Sequence, residues 1–100
     1  MKADRIYTNQ SLRIKARIRD SEGNLVDPQS IQFEMMKPND TEYSTYTVMT
    51  TPAVRKESVG IFYIDIECET QGKYKYSWFT YGNPASSWKS FFEVEDARYP

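Results

Sequence analysis

The amino-acid sequence predicts an all-β domain, an antiparallel sandwich of about seven strands. Apolar and polar residues alternate along several short runs, turn-forming residues separate these runs about every eight to twelve positions, and no stretch has helical spacing. A chain of 100 residues has room for one domain with one hydrophobic core. A small closed β-barrel is the alternative architecture for the same pattern.

The first half of the chain supplies four predicted strands. Along residues 11–20 the alternation is unbroken, so that apolar side chains such as Ile14 share one face and basic side chains such as Lys15 share the other. Turn formers at residues 21–24 end this strand. The other strands of this half are predicted at residues 31–36, 43–50 and 53–58.

The second half contains the most regular alternation, at residues 61–69 and 73–81, followed by a last strand at residues 88–95. Residues 70–72 predict a three-residue hairpin loop between the first two of these strands, with Gly72 in the left-handed conformation. The hairpin sets these cross-strand pairs: Glu69 with Lys73, Glu67 with Lys75, Ile66 with Tyr76 and Ile64 with Trp78.

Seven strands joined by short turns in a chain of this length are typical of a sandwich of the immunoglobulin type. The alternating pattern predicts the domain over residues 11–95, with an N-terminal arm over residues 1–10 and a C-terminal tail over residues 96–100. Because the two terminal segments contain little core pattern, we expect them to become ordered against a partner.

The composition excludes the commonest catalytic and metal-binding chemistries. The sequence has no histidine, so it has neither a Ser-His-Asp or Cys-His arrangement nor an imidazole metal ligand. Its one cysteine, Cys68, is expected to be a buried small side chain. The sequence therefore predicts a protein that is not an enzyme, with no catalytic, cofactor-binding or metal-binding residues and no cofactor.

The nearest approach to an acid–base site is the carboxylate row Asp65, Glu67 and Glu69. Residues two apart on one strand face lie about 6 to 7 Å from each other, a spacing that resembles paired carboxylates in glycoside hydrolysis. On the predicted hairpin, however, Lys73 and Lys75 neutralise two of them, and an exposed face cannot raise a carboxyl pKa by desolvation. We interpret the row as a solvated face.

Charge and hydropathy bear on the partners. The 13 basic and 14 acidic residues give a formal net charge of −1, too small to attract nucleic acid or a membrane as a whole. A local basic stripe could follow a phosphate backbone, pair with an acidic neighbouring strand or protect a sheet edge. We expect no nucleic-acid partner, no membrane contact and synthesis in the cytoplasm, since no apolar run has the length of a membrane span or a signal peptide. The stripe consists of Arg13, Lys15, Arg17 and Arg19.

Aromatic side chains that the core pattern does not use are candidates for a contact surface, either for protein or for the face of a sugar ring. We favour protein, because no distinctive cluster of polar partners accompanies the rings. The alternative is a carbohydrate-binding or adhesive module that stacks a glycan of the host surface on Tyr81 and Trp88. The candidate interface residues are Phe79, Tyr81, Trp88 and Phe91, with Tyr7 and Tyr99 in the terminal segments.

Four short motifs occur in series: Gly-Asn-Leu-Val-Asp-Pro at residues 23–28, Gly-Ile-Phe-Tyr at 60–63, Gly-Lys-Tyr-Lys-Tyr-Ser-Trp at 72–78 and Phe-Glu-Val at 92–94. In this combination the chain resembles the small immunoglobulin-like proteins encoded among the virion genes of tailed bacteriophages and prophages. The resemblance implies a non-enzymatic virion structural protein at the head surface, at the neck between head and tail, or in the tail. It also implies assembly with capsid, portal, neck or tail proteins and homo-oligomerisation, in a virion made in the host bacterial cytoplasm.

Two features that are frequent in immunoglobulin domains are expected to be absent. Around Gly60 the tyrosine-corner pattern D-x-G-x-Y is replaced by glycine followed by x-Phe at Phe62, so we expect the hydroxyl of that motif to be missing. Cys68 has no second cysteine with which to form the inter-sheet disulfide. Both departures disfavour a surface-receptor domain and are compatible with the phage-type interpretation.

Overall fold

Every strand that the structure describes belongs to one of two β-sheets. A computed structural model of the chain describes residues 6–96, and these contain eight strands and no helix. The all-β prediction is confirmed for this range, and the alternative closed barrel is wrong, because the strands form two separate open sheets. The strands are β1 (Ile6–Tyr7), β2 (Gln10–Arg17), β3 (Ser30–Met36), β4 (Ser44–Tyr46), β5 (Arg55–Ser58), β6 (Ile61–Cys68), β7 (Gly72–Tyr81) and β8 (Ser86–Glu95).

The larger sheet has five strands in the order β1-β8-β7-β3-β4. β7 lies at its centre and pairs antiparallel with β3 and β8, so that Trp78 lies opposite Phe33 on one side and Trp88 on the other. β4 forms an antiparallel edge, whereas β1 pairs parallel with β8 at Val94 and Glu95. The inner face of this sheet therefore carries a band of aromatic side chains.

The smaller sheet has three antiparallel strands in the order β2-β6-β5. β2 and β6 pair along their whole length, and Ile14 lies opposite Ile64 in the interior. The pairing of β5 with β6 is interrupted by a register shift between Lys56 and Ser58. Such an irregularity bends the edge of a sheet and weakens its ability to pair with another strand.

The hydrophobic core lies between the inner faces of the two sheets. Phe33, Ile64, Tyr74 and Trp78 have no exposed surface, and the rings of Phe33 and Trp78 lie 4.8 Å apart in a tilted arrangement. Burying one large apolar side chain contributes about 1.5 to 3 kcal/mol, so this cluster is a main source of stability. The inward positions predicted along the two most regular strands are confirmed as buried for Phe62, Ile64, Ile66, Cys68, Tyr74 and Trp78.

The predicted hairpin between β6 and β7 is wrong. β6 pairs with β2 and β5 in the smaller sheet, and β7 pairs with β3 and β8 in the larger sheet, so residues 69–71 cross from one sheet to the other. Alternation sets which face of a strand is buried but not which strand lies beside it, and the opposed Glu and Lys rows were equally compatible with pairing. Gly72, with φ of 130°, lies where an added Cβ would come within 2.9 Å of the Pro38 ring.

The hydroxyl that we expected to be missing is supplied at this crossing. The Oη atom of Tyr74 donates to the carbonyl oxygen of Thr70 at 2.7 Å and accepts from the Thr70 N–H at 3.2 Å. The sequence Thr70-Gln71-Gly72-Lys73-Tyr74 keeps the G-x-Y spacing of the tyrosine corner with threonine in place of aspartate. A tyrosine hydroxyl thus bonds to the backbone beside Gly72 rather than beside Gly60.

The strand boundaries differ from the predictions mainly at turns. The segment predicted as a strand at residues 43–50 forms β4 only up to Tyr46, because Thr47 and Thr50 close a turn in which the Thr50 Oγ1 donates to the Thr47 carbonyl at 3.0 Å. Within the expected N-terminal arm, residues 6–7 form β1, and β2 begins at Gln10. Residues 1–5 and 97–100 lie outside the described range.

Candidate protein-interaction surface

The outer face of the five-stranded sheet carries three of the predicted interface residues. We call the outward side chains of β3, β7 and β8, together with the adjoining Tyr43, the aromatic face. Phe91 is 58% exposed and Tyr81 is 47% exposed, whereas Phe79 is partly buried between its neighbours on β3 and β8. Single exposed apolar residues are normal, but several rings on one sheet face are typical of a contact surface.

Trp88 does not belong to this surface. It lies on the inner face of β8, opposite Trp78, and packs partly buried against the core. Placing it among the leftover aromatics was wrong, although the sequence contained the signal: counting back in twos from the inward Phe92 reaches residue 88. Tyr81 and Trp88 therefore point to opposite sides of the sheet and do not form one stacking platform.

Phe91 lies among three lysines. The Nζ atom of Lys73 is 4.5 Å from the centroid of the Phe91 ring, within the range of a cation–π interaction. Lys75 lies directly opposite Phe91 on β7, and Tyr43 lines the same shallow pocket of about 260 Å³. Lys89 lines it as well, and no acidic residue does. This end of the aromatic face combines exposed rings with three lysines, of which Lys73 lies opposite Glu93 on β8.

A second pocket lies near the end of β7 and reaches Ile31 and Phe62 of the core. Tyr81 lines a pocket of about 330 Å³ together with Val48 and Met49, which are 59% and 88% exposed. The sequence did not identify Val48, Met49 or Tyr43 as surface residues, because all three fell inside a predicted strand. The turn at Thr47 is what exposes the first two of them.

Of the two predicted interface residues in the terminal segments, one is described. Tyr7 is partly buried in β1, and its backbone N–H donates to the Oε1 atom of Gln10 at 2.8 Å. Tyr99 lies outside the described residues.

The outer face of the three-stranded sheet, which we call the charged face, has paired charges. Arg13 donates to both carboxylate oxygens of Asp65, from Nε at 2.8 Å and from Nη2 at 3.1 Å, and its guanidinium lies 3.9 Å from the Tyr63 ring centroid. The Nζ of Lys15 lies 3.0 Å from the Oε1 of Glu57. Arg13 and Lys15 of the basic stripe thus pair with carboxylates on neighbouring strands, one of the three possibilities that the sequence left open.

The carboxylate row also finds different partners from those predicted. The expected neutralisation by Lys73 and Lys75 is wrong, because these lysines are in the other sheet. The side-chain hydrogen bond from Arg13 instead holds the pKa of Asp65 below its ordinary value. Glu67 accepts from the hydroxyl of Ser11 at 3.0 Å. An ionised carboxylate clamped by arginine is poorly suited to donate a proton.

Two further titratable groups have pKa values that are shifted by their surroundings. Asp27 accepts from the Nζ of Lys56 at 2.6 Å and from the Gly60 N–H at 2.8 Å, and these bonds lower its pKa. Burial raises the pKa of the Cys68 thiol, which disfavours the reactive thiolate. Over residues 6–96, no three histidine, cysteine, aspartate or glutamate side chains form a cluster that could hold a metal ion.

Comparison with known proteins adds no relative: no family model, curated protein or solved structure matches the chain. Within the described residues there is also no helix with the length and apolarity needed to cross a membrane.

Proposed function

We propose that this protein is a non-enzymatic structural subunit of a tailed-bacteriophage virion, an immunoglobulin-like module that assembles with other particle proteins through its aromatic face. The observation that carries the assembly role is the exposed Phe91 ring, which lies among three lysines in a pocket that no carboxylate lines. The assignment to a virion is supported by the sequence resemblance described above.

The immunoglobulin-like fold is supported by strand order. In that fold one sheet contains strands B, E and D and the other contains G, F, C and C′. β2, β6 and β5 have the order B-E-D, and β8, β7, β3 and β4 have the order G-F-C-C′. Tyr74, near the start of the strand equivalent to F, bonds to the backbone of Thr70 four residues earlier, as the tyrosine corner does.

A role in protein contact is supported by the chemistry of the aromatic face. Aromatic rings are enriched in protein interfaces, where they bury large areas with little loss of side-chain freedom. Lysines beside Phe91 favour an acidic patch on the partner and would disfavour a basic one. Capsid, portal, neck or tail proteins, and further copies of this chain, are the partners proposed. The carbohydrate-binding alternative is not supported, since Tyr81 and Trp88 lie on opposite faces.

The proposal is tested on virions. Phage particles are induced from the bacterial strain that encodes the protein, purified on a density gradient and analysed by quantitative mass spectrometry. We expect the protein to band with the particles at a constant multiple of the portal protein. Abundance in the lysate together with absence from the particles would contradict the proposal.

A matched pair of variants tests the surface. Phe91→Ala removes the exposed ring of the aromatic face, and we expect it to lower the copies per particle several-fold. Val59→Ala removes a side chain of similar exposure from the turn between β5 and β6 and should leave incorporation unchanged. Equal incorporation of both variants would remove the aromatic face from the proposal.

A further inference from the structure

The turn that follows β4 presents two apolar side chains, Val48 and Met49, to solvent. Hydrogen bonds hold this turn in one shape: the Thr47 N–H donates to the Thr50 Oγ1 at 3.0 Å, and the Val54 N–H donates to the Thr47 carbonyl at 2.9 Å. Turn tips usually carry glycine, proline or small polar residues. An apolar tip that the backbone holds rigidly is therefore a candidate contact point.

The pocket beside this turn has no charged residue in its lining. Its volume is about 330 Å³, and it reaches the buried core residues Ile31 and Phe62. Val48, Met49 and Tyr81 line it from the exposed side. An apolar cavity of about 150 Å³ takes a group of the size of benzene, so this pocket has room for a methionine side chain. The other lining residues are also uncharged: Pro28, Gln29, Ser30, Gln32 and Thr47.

The charged groups beside the pocket have partners within the chain. Among the chain neighbours of the lining residues only Asp27 is charged, and it accepts from the Nζ of Lys56 at 2.6 Å. Lys56 is also the one charged residue that lies opposite a lining residue, Phe62, on a paired strand. Glu34, further along β3, accepts from the Nε2 of Gln32 at 3.0 Å. A second copy of the same neutral patch therefore meets no charge repulsion inside the pocket.

The residues outside the described range are too few to fill this pocket from within the same chain. β1, which follows residues 1–5, and the end of β8, which precedes residues 97–100, both lie level with Gly72 at the start of β7. The pocket lies at Tyr81, the other end of β7, about 30 Å away at about 3.3 Å per residue. Five residues extend at most about 18 Å. Neither segment reaches the pocket.

An apolar projection and an apolar recess adjoin on this patch. The exposed Met49 side chain lies at the rim of the pocket that Phe62 and Tyr81 line. A two-fold axis beside the turn brings the Met49 of each copy to the pocket of the other, so that one rotation forms the same contact twice. A different protein would have to supply both a matching projection and a matching recess, whereas a second copy of this patch supplies the two together.

We infer that two copies of this chain form a two-fold dimer in which the Met49 side chain of each copy enters the pocket beside Tyr81 of the other. This inference rests on the assembly function proposed above and names a second copy of the chain as the partner of this end of the domain. The patch has fewer residues than the 20 to 30 on each side of a standard interface, so the dimer is weak, with a Kd in the micromolar range.

Sedimentation equilibrium of the full chain, from about 5 μM to about 1 mM, measures this association. Met49→Asp places a charge where the dimer has an apolar contact and should weaken dimerisation at least about tenfold. Because Met49 is mostly exposed, the variant should remain folded. Met49→Leu keeps an apolar tip and should still dimerise. Val59→Asp adds the same charge at an exposed valine of the turn between β5 and β6 and should have no effect.

Nuclear magnetic resonance of the methionine methyl groups locates the contact. The Met49 signal should shift as the protein is diluted, whereas the signal of Met35, which is buried in the core, should stay constant. Chains that are deuterated except at ¹³C-labelled methionine methyl groups are then mixed with unlabelled chains. In this mixture we expect nuclear Overhauser effects from the Met49 methyl to the rings of Phe62 or Tyr81, which can only arise between two copies.

Three results would overturn the inference. The first is a chain that stays monomeric at millimolar concentration. The second is equal weakening by Met49→Asp and Val59→Asp. The third is a dimer that Phe91→Asp disrupts and Met49→Asp does not, since its interface would then be the aromatic face.

This inference and the proposed function fail in different experiments. A chain that dimerises through Met49 but is absent from purified virions keeps the dimer and loses the virion role. A virion protein that remains monomeric in solution does the reverse.

Discussion

The two outer faces of the sandwich differ in how their charges are satisfied. On the charged face, Arg13 and Asp65 form a two-pronged hydrogen-bonded pair, and Lys15 lies 3.0 Å from Glu57. On the aromatic face, within the described part of the chain, Lys73 and Lys89 have no carboxylate at ion-pair distance. The charged face thus contains ion pairs between its own strands, whereas the lysines around Phe91 form none with the described residues.

The largest expected effect is the difference in stability between removing a packed ring and removing an exposed ring of β8. Trp88→Ala should lower the free energy of unfolding by about 2 to 3 kcal/mol, because it removes a large ring that packs on the core. Phe91→Ala should change it by less than about 0.5 kcal/mol, since that ring is mostly exposed. Urea unfolding measures both. Equal losses would show that the aromatic face serves stability rather than contact.

Removing the side-chain hydrogen bonds at the connection between the two sheets should have the next largest effect on the free energy of unfolding. Tyr74→Phe removes both hydrogen bonds to Thr70 and leaves the ring in the core, so we expect a loss of about 1 to 2 kcal/mol. Tyr76→Phe, on the same side of β7, is the matched control and should have a smaller effect. If the two variants unfold at the same urea concentration, the Tyr74 bonds contribute little.

Double-mutant cycles compare the two faces directly. Removing Arg13 and Asp65 singly and together should give a favourable coupling energy, larger than that of most exposed pairs because the contact is two-pronged. The cycle for Lys73 and Phe91 should give less than about 0.5 kcal/mol. A larger coupling energy for Lys73 and Phe91 than for Arg13 and Asp65 would reverse the contrast between the two faces.

The smallest expected effect is the dependence of stability on pH. Arg13 lowers the pKa of Asp65 in the folded chain, so the pair adds stability above the unfolded pKa of about 3.9, and this is lost as pH falls through the lower folded value. An NMR titration of the side-chain carboxyl should therefore show a midpoint below the ordinary one, and Arg13→Ala should raise it. An unchanged midpoint in that variant would mean that the hydrogen bonds do not persist in solution.

The sequence predicted which face of each strand is buried more successfully than which strands lie beside each other. Alternation correctly placed Ile64 and Trp78 inside, because burial of one face is a local property of each strand. Pairing of β6 with β2 is a property of the whole chain: Arg13 and Lys73 both offered positive charge to the acidic row, and only the topology decides between them. Charge matching alone therefore gave the wrong hairpin.

The candidate surface was predictable to a similar extent. Phe79, Tyr81 and Phe91 follow from counting positions outward from the core residues of β7 and β8. Tyr43 was missed because residues 43–50 were predicted as one strand, whereas β4 begins at Ser44. Met49 was missed because the threonine-closed turn that exposes it looks like strand sequence, rich in β-branched residues.

The crossing between β6 and β7 also shapes how the chain reaches its native state. Because these neighbours in sequence do not pair, β6 must find β2, and the Arg13–Asp65 contact joins residues 52 positions apart. Contacts between distant residues require loop closure before they stabilise anything, and domains dominated by them fold in milliseconds to seconds. The β7–β8 hairpin forms locally by comparison, so we expect it to be an early element on which the rest of the larger sheet assembles.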